Sequence, residues 1–519
     1  MAALYDNLMW REAAPGVWQR DADEPEQFYA TLIKLYEGSG RMQFAITGHV
    51  SLTIAVPDTE SVEATSRRFD DSLRIAWLRL RHDIPTIASC VNYDAVAGKW
   101  KKTYNAVPDR NSQNAWLKRT FRTISVGKTG TEWANSDPPA PREATLSVIV
   151  PPVTPPGIIG RDLVLRSPHD IIDGIGTLQL FGNYIAHVAK AFAGDSAHQS
   201  SILDGSETAR LSPSYRIAAA VPAEPTAAQA QKLVATKEDK SNATEQRSDD
   251  EVEDIGIPYR SGPALPGKHQ RVAYTISEDR ASHLLAAVKR INATVTHAFH
   301  TAIAMGIRDV HAEQLGMATR PSVPCKQRRV RYNSYILRNE RSKCDHPFNT
   351  PAHCAAVYHS VSRGRLMVDM PLFPSDDEAN AEFERILVHM RDYYHRVRDD
   401  TDHYALAPYI WAAATPEVAL PASTVSVPPP NPRPSVSISS MGLIDHIIGL
   451  EHGPIDVYNP WVTGEELGNG LGLFLGTFRG ELCLSAAYND AWHDKEEVEG
   501  FLSRCEEIVF AWVQKAGGE

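Results

Sequence analysis

Apolar residues recur along this chain with two alternating periods, near two and near 3.6, the marks of strands and helices in turn. In Glu26–Tyr36, Phe28, Leu32 and Leu35 or Tyr36 share one helical face, and Gly38-Ser-Gly40 breaks the run. Met42–Ile54 is rich in β-branched and aromatic residues and predicts a strand. A long helix is predicted over 60–80, then strands at Thr86–Val91, Trp116–Val126 and Thr145–Val150. Prolines at 151, 152, 155 and 156 mark a loop before the strand Arg161–Ser167, and an amphipathic helix follows from Ile175 to Phe192. From Gln270 the alternation begins again. The strand Gln270–Ile276 is followed by helices at Glu278–Ile291 and Thr294–His311, with Asn292-Ala293-Thr294 between them as capping residues. Strands at Val330–Leu337 and Ala355–Val361 and a long helix at Asp376–Val397 come next. A proline-rich loop (Pro421–Pro434), a strand at Ser435–Ser440, a hairpin turning at Arg479-Gly480 and a last helix over Asp494–Gln514 complete the order.

Strands mixed with long helices in both halves predict an α/β (α+β) protein of two domains, mixed sheets flanked by helices, with a site between them. At 519 residues the chain exceeds one ordinary domain, and 43% hydrophobic residues suffice for a large core. The stretch 223–254 is rich in Ala, Glu, Lys and Ser and poor in large apolar residues, so 196–265 reads as a mobile linker or insertion between domains at 1–195 and 266–519. Its acidic run, Ser248 to Asp254, reads as solvated.

A net charge of −11 excludes a nucleic-acid partner and means that an anionic cosubstrate needs a local basic patch. The six cysteines, at 90, 325, 344, 354, 483 and 505, have neither zinc-site nor disulfide-framework spacing, so reduced thiols are expected. No apolar run nears the roughly 20 residues of a membrane span, and the first residues lack a signal-peptide pattern. The expectation is a cytoplasmic monomer with no metal and no permanently bound cofactor.

The chemistry concentrates in His169-Asp170-Ile171-Ile172-Asp173-Gly174, an H-x-x-x-D-G pattern between a strand and a helix. A His on a loop at a strand end can accept a substrate proton, because imidazole titrates near neutral pH. An Asp four residues on, where the loop closes at a Gly, can hold that loop still. Other features read as structural. His297 and His300 lie three apart on a helix with no third ligand, so they read as packing. His353, His359, His446 and His493 show no arrangement with partners. Gly468–Gly472 has no Lys-Ser/Thr and reads as a loop. No G-x-S-x-G occurs, against an α/β-hydrolase.

His169, Asp173 and Gly174, the helix opening at Thr294 and the hairpin tail from Leu475 to Asp490 together resemble the chloramphenicol acetyltransferase-like superfamily. That group includes plant BAHD acyltransferases, peptide-synthetase condensation domains and fungal trichothecene O-acetyltransferases. Ser39–Leu52 looks closest to the trichothecene 15-O-acetyltransferase type. Pro168 stands where condensation domains carry a second His, and the D-F-G-W-G of the plant enzymes is absent.

The resemblance implies two acyltransferase-like domains with an active-site tunnel between them. It implies a CoA-dependent O-acyltransferase (EC 2.3.1 type) acetylating a hydroxyl of a secondary metabolite such as a trichothecene-like terpenoid. Acetyl-CoA is then the cosubstrate, His169 the general base, and Asp173 a structural partner paired with an Arg, for which Arg331, Arg338 and Arg341 are candidates. Ser439 or Ser440 would supply an oxyanion hydroxyl, and no acyl-enzyme forms. The alternative is a stand-alone condensation-type enzyme joining a carrier-bound acyl group to an amine or alcohol.

Overall fold

Two large sheets backed by long helices organise the computed structural model, which describes residues 5–195, 203–234, 252–316, 328–418, 420 and 426–517. The first sheet runs, edge to edge, through Glu451–His452, Ile455–Gly464, Ile46–Ala55, Ile158–Ser167, Thr145–Ile149 and Phe121–Ile124. Helices Val62–Asp83 and Gly174–Phe192 share its core. Ile158–Ser167 is buried along nearly its whole length, and its charged residues are paired there, Arg161 with Asp70 and Arg166 with Glu465, while Asp162 accepts from Ser51. Leu163, Val164 and Leu165 have no exposed surface, which stabilises the fold by up to about 1.5–3 kcal/mol each. Its last residue, Ser167, pairs with Ile46, and the chain then enters the His169 loop.

The second sheet orders His269–Ile276, Glu481–Asn489, Leu471–Phe478 and Val436–Leu443. Helices Glu278–Arg290, Val295–Gln314 and Lys495–Gly517 cover it. The hairpin turn is set by Arg479 and Gly480, both at positive φ (51° and 78°), the turn geometry that matches strand twist. A third sheet (Leu366–Pro371, Arg329–Ser334, Val252–Ile255) packs under Asp376–Asp399.

The two halves are interleaved. Ile455–Gly464, from the second half, pairs antiparallel with Ile46–Ala55 in the first sheet. The expected linker also contributes packed structure. Tyr215, Ala218, Ala219 and Val221 form a small core with Tyr358 and Ala407. Val252–Ile255, the end of the acidic run, pairs in parallel with Arg329–Ser334, and Asp254 accepts a hydrogen bond from Asn333. The rest of that expected linker, 196–202 and 235–251, lies outside the described residues, as do Cys325 and 421–425 of the proline-rich loop.

Elsewhere the structure corrects the pattern. Trp116–Thr120 of the strand expected at Trp116–Val126 instead end the helix Arg110–Thr120, and the strand itself is only Phe121–Ile124. Asp109 caps that helix through the amides of Asn111 and Ser112. Trp116, Leu117 and Thr120 turn inward at helical spacing, and Trp116 stacks on Trp77. The strand expected at Thr86 begins at Ser89, after a 3-10 turn over Pro85–Ala88. A four-stranded N-terminal sheet and the helix His403–Ala414 were not foreseen. Among the described residues, no helix is long and apolar enough to cross a membrane.

Candidate active site

The strand Ile158–Ser167 ends in a loop that caps its own following helix. Asp173 is the N-cap of Gly174–Phe192, and its Oδ1 accepts the Gly176 amide at 2.7 Å. Its Oδ2 accepts from Arg341 Nη1 at 2.9 Å and from the Tyr358 amide at 3.0 Å. Of the three candidate arginines, Arg341 is therefore the partner. Arg331 pairs with Asp369, and Arg338 with Glu340. Burial works against the Asp173 carboxylate, but Arg341 and His359 outweigh it and hold its pKa well below the usual range. Gly176 lets this contact form. A Cβ there would sit 2.2 Å from the Cys354 carbonyl oxygen and 2.8 Å from Arg341 Nη2.

His169 lines a cavity of about 1000 Å³ walled by residues of both halves. Asp173, Gly174, Ser439 and Ser440 line the same cavity. His169 is half-buried, and its Nδ1 is shut off from solvent without a hydrogen-bond partner. Burial and, secondarily, His359 lower its pKa to about 3, so the imidazole is neutral and holds a free lone pair. Thr296 donates to Ser440 Oγ at 3.0 Å, which leaves the Ser440 proton free to donate elsewhere. Arg338, Arg363, Arg365 and Arg433 also line the cavity, a local basic wall on an acidic protein.

A buried charge network supports the loop from behind. Glu26, in the helix Glu24–Tyr36, accepts from Arg20 (2.6 and 2.7 Å) and from Lys102 at 2.7 Å. Lys102 also donates to the Asp170 carbonyl at 2.8 Å, tying down the residue after His169. Burial opposes ionisation of Glu26, yet Arg20 and Lys102 bring its pKa to about 2. Burial raises the Asp170 carboxyl to about 7.

Two site residues escaped the sequence reading. His359, thought to lack partners, lies with its ring 5.4 Å from that of His169 and its Nε2 at 2.8 Å from the Tyr29 hydroxyl. Tyr29 stacks on His169, with ring centroids 3.7 Å apart and planes 9° apart. No spacing signal links residues 29, 169 and 359; only the fold brings them together. His300 is buried between the Tyr394 and Tyr332 hydroxyls, whereas His297, read as packing, is buried against Tyr394 and also lines the His169 cavity. His353 and His493 bond to Ser212 and to the Asn469 carbonyl, away from the site. Among the described residues, no group of three or more His, Cys, Asp or Glu is arranged to hold a metal.

No protein-family model matches the chain. Two curated fungal proteins do. The acetyltransferase pigO of Monascus ruber is 23% identical over 494 residues, covering 94% of each chain. The O-acetyltransferase pigM of the same organism is 23% identical over 517 residues, covering 97% of this chain and 87% of its own. Among solved structures, the TRI3 trichothecene 15-O-acetyltransferase of Fusarium sporotrichioides superposes with a TM-score of 0.75 at 16% identity, covering 97% of each chain. The condensation domain of the monacolin K polyketide synthase MokA superposes at 0.56 and 12% identity, covering 96% and 97%. The chain has the fold these acyltransferase and condensation structures share.

Proposed function

We propose that this chain is a CoA-dependent O-acyltransferase, moving an acetyl group from acetyl-CoA to a hydroxyl of a secondary metabolite such as a trichothecene-like terpenoid. The observation that carries the reading is the neutral imidazole of His169, open to a cavity walled by both halves, with the Asp173 carboxylate engaged by Arg341 and backbone amides rather than by His169. The names of the fungal relatives point the same way.

His169 takes the proton of the acceptor hydroxyl as its oxygen attacks the thioester carbonyl. Charge moves to the carbonyl oxygen, where the Ser440 or Ser439 hydroxyl donates a hydrogen bond. Collapse of the tetrahedral intermediate re-forms the carbonyl and breaks the C–S bond. The leaving CoA thiolate takes the proton back from the His169 imidazolium, so the base ends as it began. The arginines lining the cavity supply the basic surface that CoA phosphates need.

The test incubates the protein with acetyl-CoA and native extract and follows CoA thiol release together with a mass gain of one acetyl group. Loss of both in His169→Ala supports the reading; unchanged turnover in that variant rejects it. The condensation-type alternative draws on the MokA likeness. Turnover only with a phosphopantetheinyl carrier protein, and none with free acetyl-CoA, would select it.

A further inference from the structure

Asp173 reaches toward His169 by a second route that does not pass through Arg341. His359 Nδ1 lies 3.7 Å from Asp173 Oδ2, an electrostatic contact too long for a hydrogen bond, and it has no other partner. Two facing lone pairs would repel, so this nitrogen carries the proton toward the ionised carboxylate. Nε2 is then the bare nitrogen and accepts the Tyr29 hydroxyl at 2.8 Å. Trp411 Nε1 donates to the His359 carbonyl at 3.2 Å, and its ring meets the imidazole edge-on. His359 is therefore fixed from its backbone, its Nδ1 side and its Nε2 side. Tyr29, held at its hydroxyl, lies flat against the His169 ring.

We infer that His359 is a positioning residue for acyl transfer: by accepting the Tyr29 hydroxyl it keeps the Tyr29 ring flat on His169, and so fixes the plane in which the free nitrogen of His169 meets the acceptor. The inference rests on the reading of His169 as the base. Its physical content is alignment. An imidazole free to rock against an unpinned phenol spends less time aimed at the acceptor proton, and small misplacements at a reacting centre cost rate rather than binding. The same stacked face favours the imidazolium as it forms, since a cation over an aromatic face is stabilised. Asp173 then acts in two ways: it caps the helix that carries the loop, and it sets the tautomer of His359.

The test uses the full chain with acetyl-CoA and the acceptor identified in extract, alongside histidine-selective 15N NMR of the ring nitrogens. His359→Leu and Tyr29→Phe each remove the same hydrogen bond. Each is expected to lower kcat about tenfold while KM for acetyl-CoA stays within about twofold. Because the two share one contact, the double variant should fall no further than either single one. His359→Gln, which can still accept the phenol proton, should recover most of the rate. The ring-nitrogen signals of His169 should shift alike in His359→Leu and Tyr29→Phe and return toward wild type in His359→Gln.

Wild-type kcat in His359→Leu, a loss through KM alone, losses that multiply in the double variant, or His169 signals indifferent to His359 would each overturn the inference. An inactive His169→Ala beside a fully active His359→Leu sinks this inference and leaves the base assignment standing. An active His169→Ala sinks the base assignment itself, whatever the His359 variants do.

Discussion

Two imidazoles of this protein, one half-buried and one buried, look alike by proton affinity and differ in their partners. His300 is fully buried, and burial lowers its pKa to about 3, as it does for His169. Both nitrogens of His300 are engaged, Nδ1 with the Tyr394 hydroxyl and Nε2 with the Tyr332 hydroxyl, each at 3.0 Å. His169 has its Nδ1 shut off from solvent, a stacked Tyr29 face and a cavity in front of the ring. A depressed histidine pKa thus measures burial. What marks a base is a ring that lines an open cavity instead of being bonded at both nitrogens inside the core.

The most direct way to break this comparison is to remove each ring. His169→Ala should lower kcat by roughly 10² to 10⁴, the usual worth of a positioned general base, with little change in thermal stability. His300→Phe should do the reverse. It keeps the ring volume but strands two buried tyrosine hydroxyls, at about 1–3 kcal/mol, while kcat stays close to wild type. Thermal melts beside steady-state kinetics read both. Equal loss of rate in the two variants would erase the distinction.

Next in size is the ion pair behind His169. Arg341→Met leaves the Asp173 carboxylate buried without its cation, a change that costs about 3–5 kcal/mol when one partner of a buried pair is removed. Lower stability and lower kcat together are expected in denaturant titrations and rate assays. His300 instead sits between two tyrosine hydroxyls, so variants there should lower stability without lowering kcat.

Acid sharpens the comparison further. Burial lowers His169 and His300 to about 3, and His269, His297 and His403 to about 4, all from an ordinary value of 6.5. Between those values the unfolded chain binds more protons than the folded one, so stability rises with pH across the window and falls on acidification from about 6.5 toward about 4. His300→Phe removes one of these sites and should flatten the slope of stability against pH between about 5 and about 6.5. A slope unchanged by the substitution would mean that His300 is not kept neutral by burial.

How far such contrasts were legible in the sequence depends on whether their parts are neighbours in the chain. The His169 loop was legible because strand, His, capping Asp and helix follow one another within some twenty residues, each with its own local signal. The helix at Thr294 was legible for the same reason. Tyr29 and His359 were not, since their meeting depends on the placement of two distant elements. Arg20, Glu26 and Lys102 were passed over because isolated charges read as surface, although here they neutralise one another in the interior. The end of the helix holding Trp116 was mistaken for a strand because the Phe121, Thr123, Ile124 and Val126 that follow it lend the stretch strand composition, while the Asp109 cap went unweighed. Val252–Ile255 was hidden by length and charge, being four residues at the end of an acidic run.

The smallest expected effect concerns the glycine that the motif singles out. Gly174 opens the helix without positive φ, and a Cβ there would press on the flexible tip of Met441, Cε at 3.2 Å, and make ordinary contact with Val462 Cγ1 at 3.9 Å. Met441 can yield, and Ala suits a helix better than Gly, so Gly174→Ala should change stability by less than about 1 kcal/mol. Two residues on, the space is closed by a backbone carbonyl and by the arginine that holds Asp173, neither free to retreat. Gly176→Ala should therefore reach the upper end of the about 1–3 kcal/mol that overpacking costs, and should disturb His169 through the displaced Asp173–Arg341 pair. Paired melts and kcat values for the two variants decide the matter. If Gly174→Ala is the more damaging, the third letter of the motif is needed for room in front of the helix, on the cavity side where substrates bind, and not for the fit behind it.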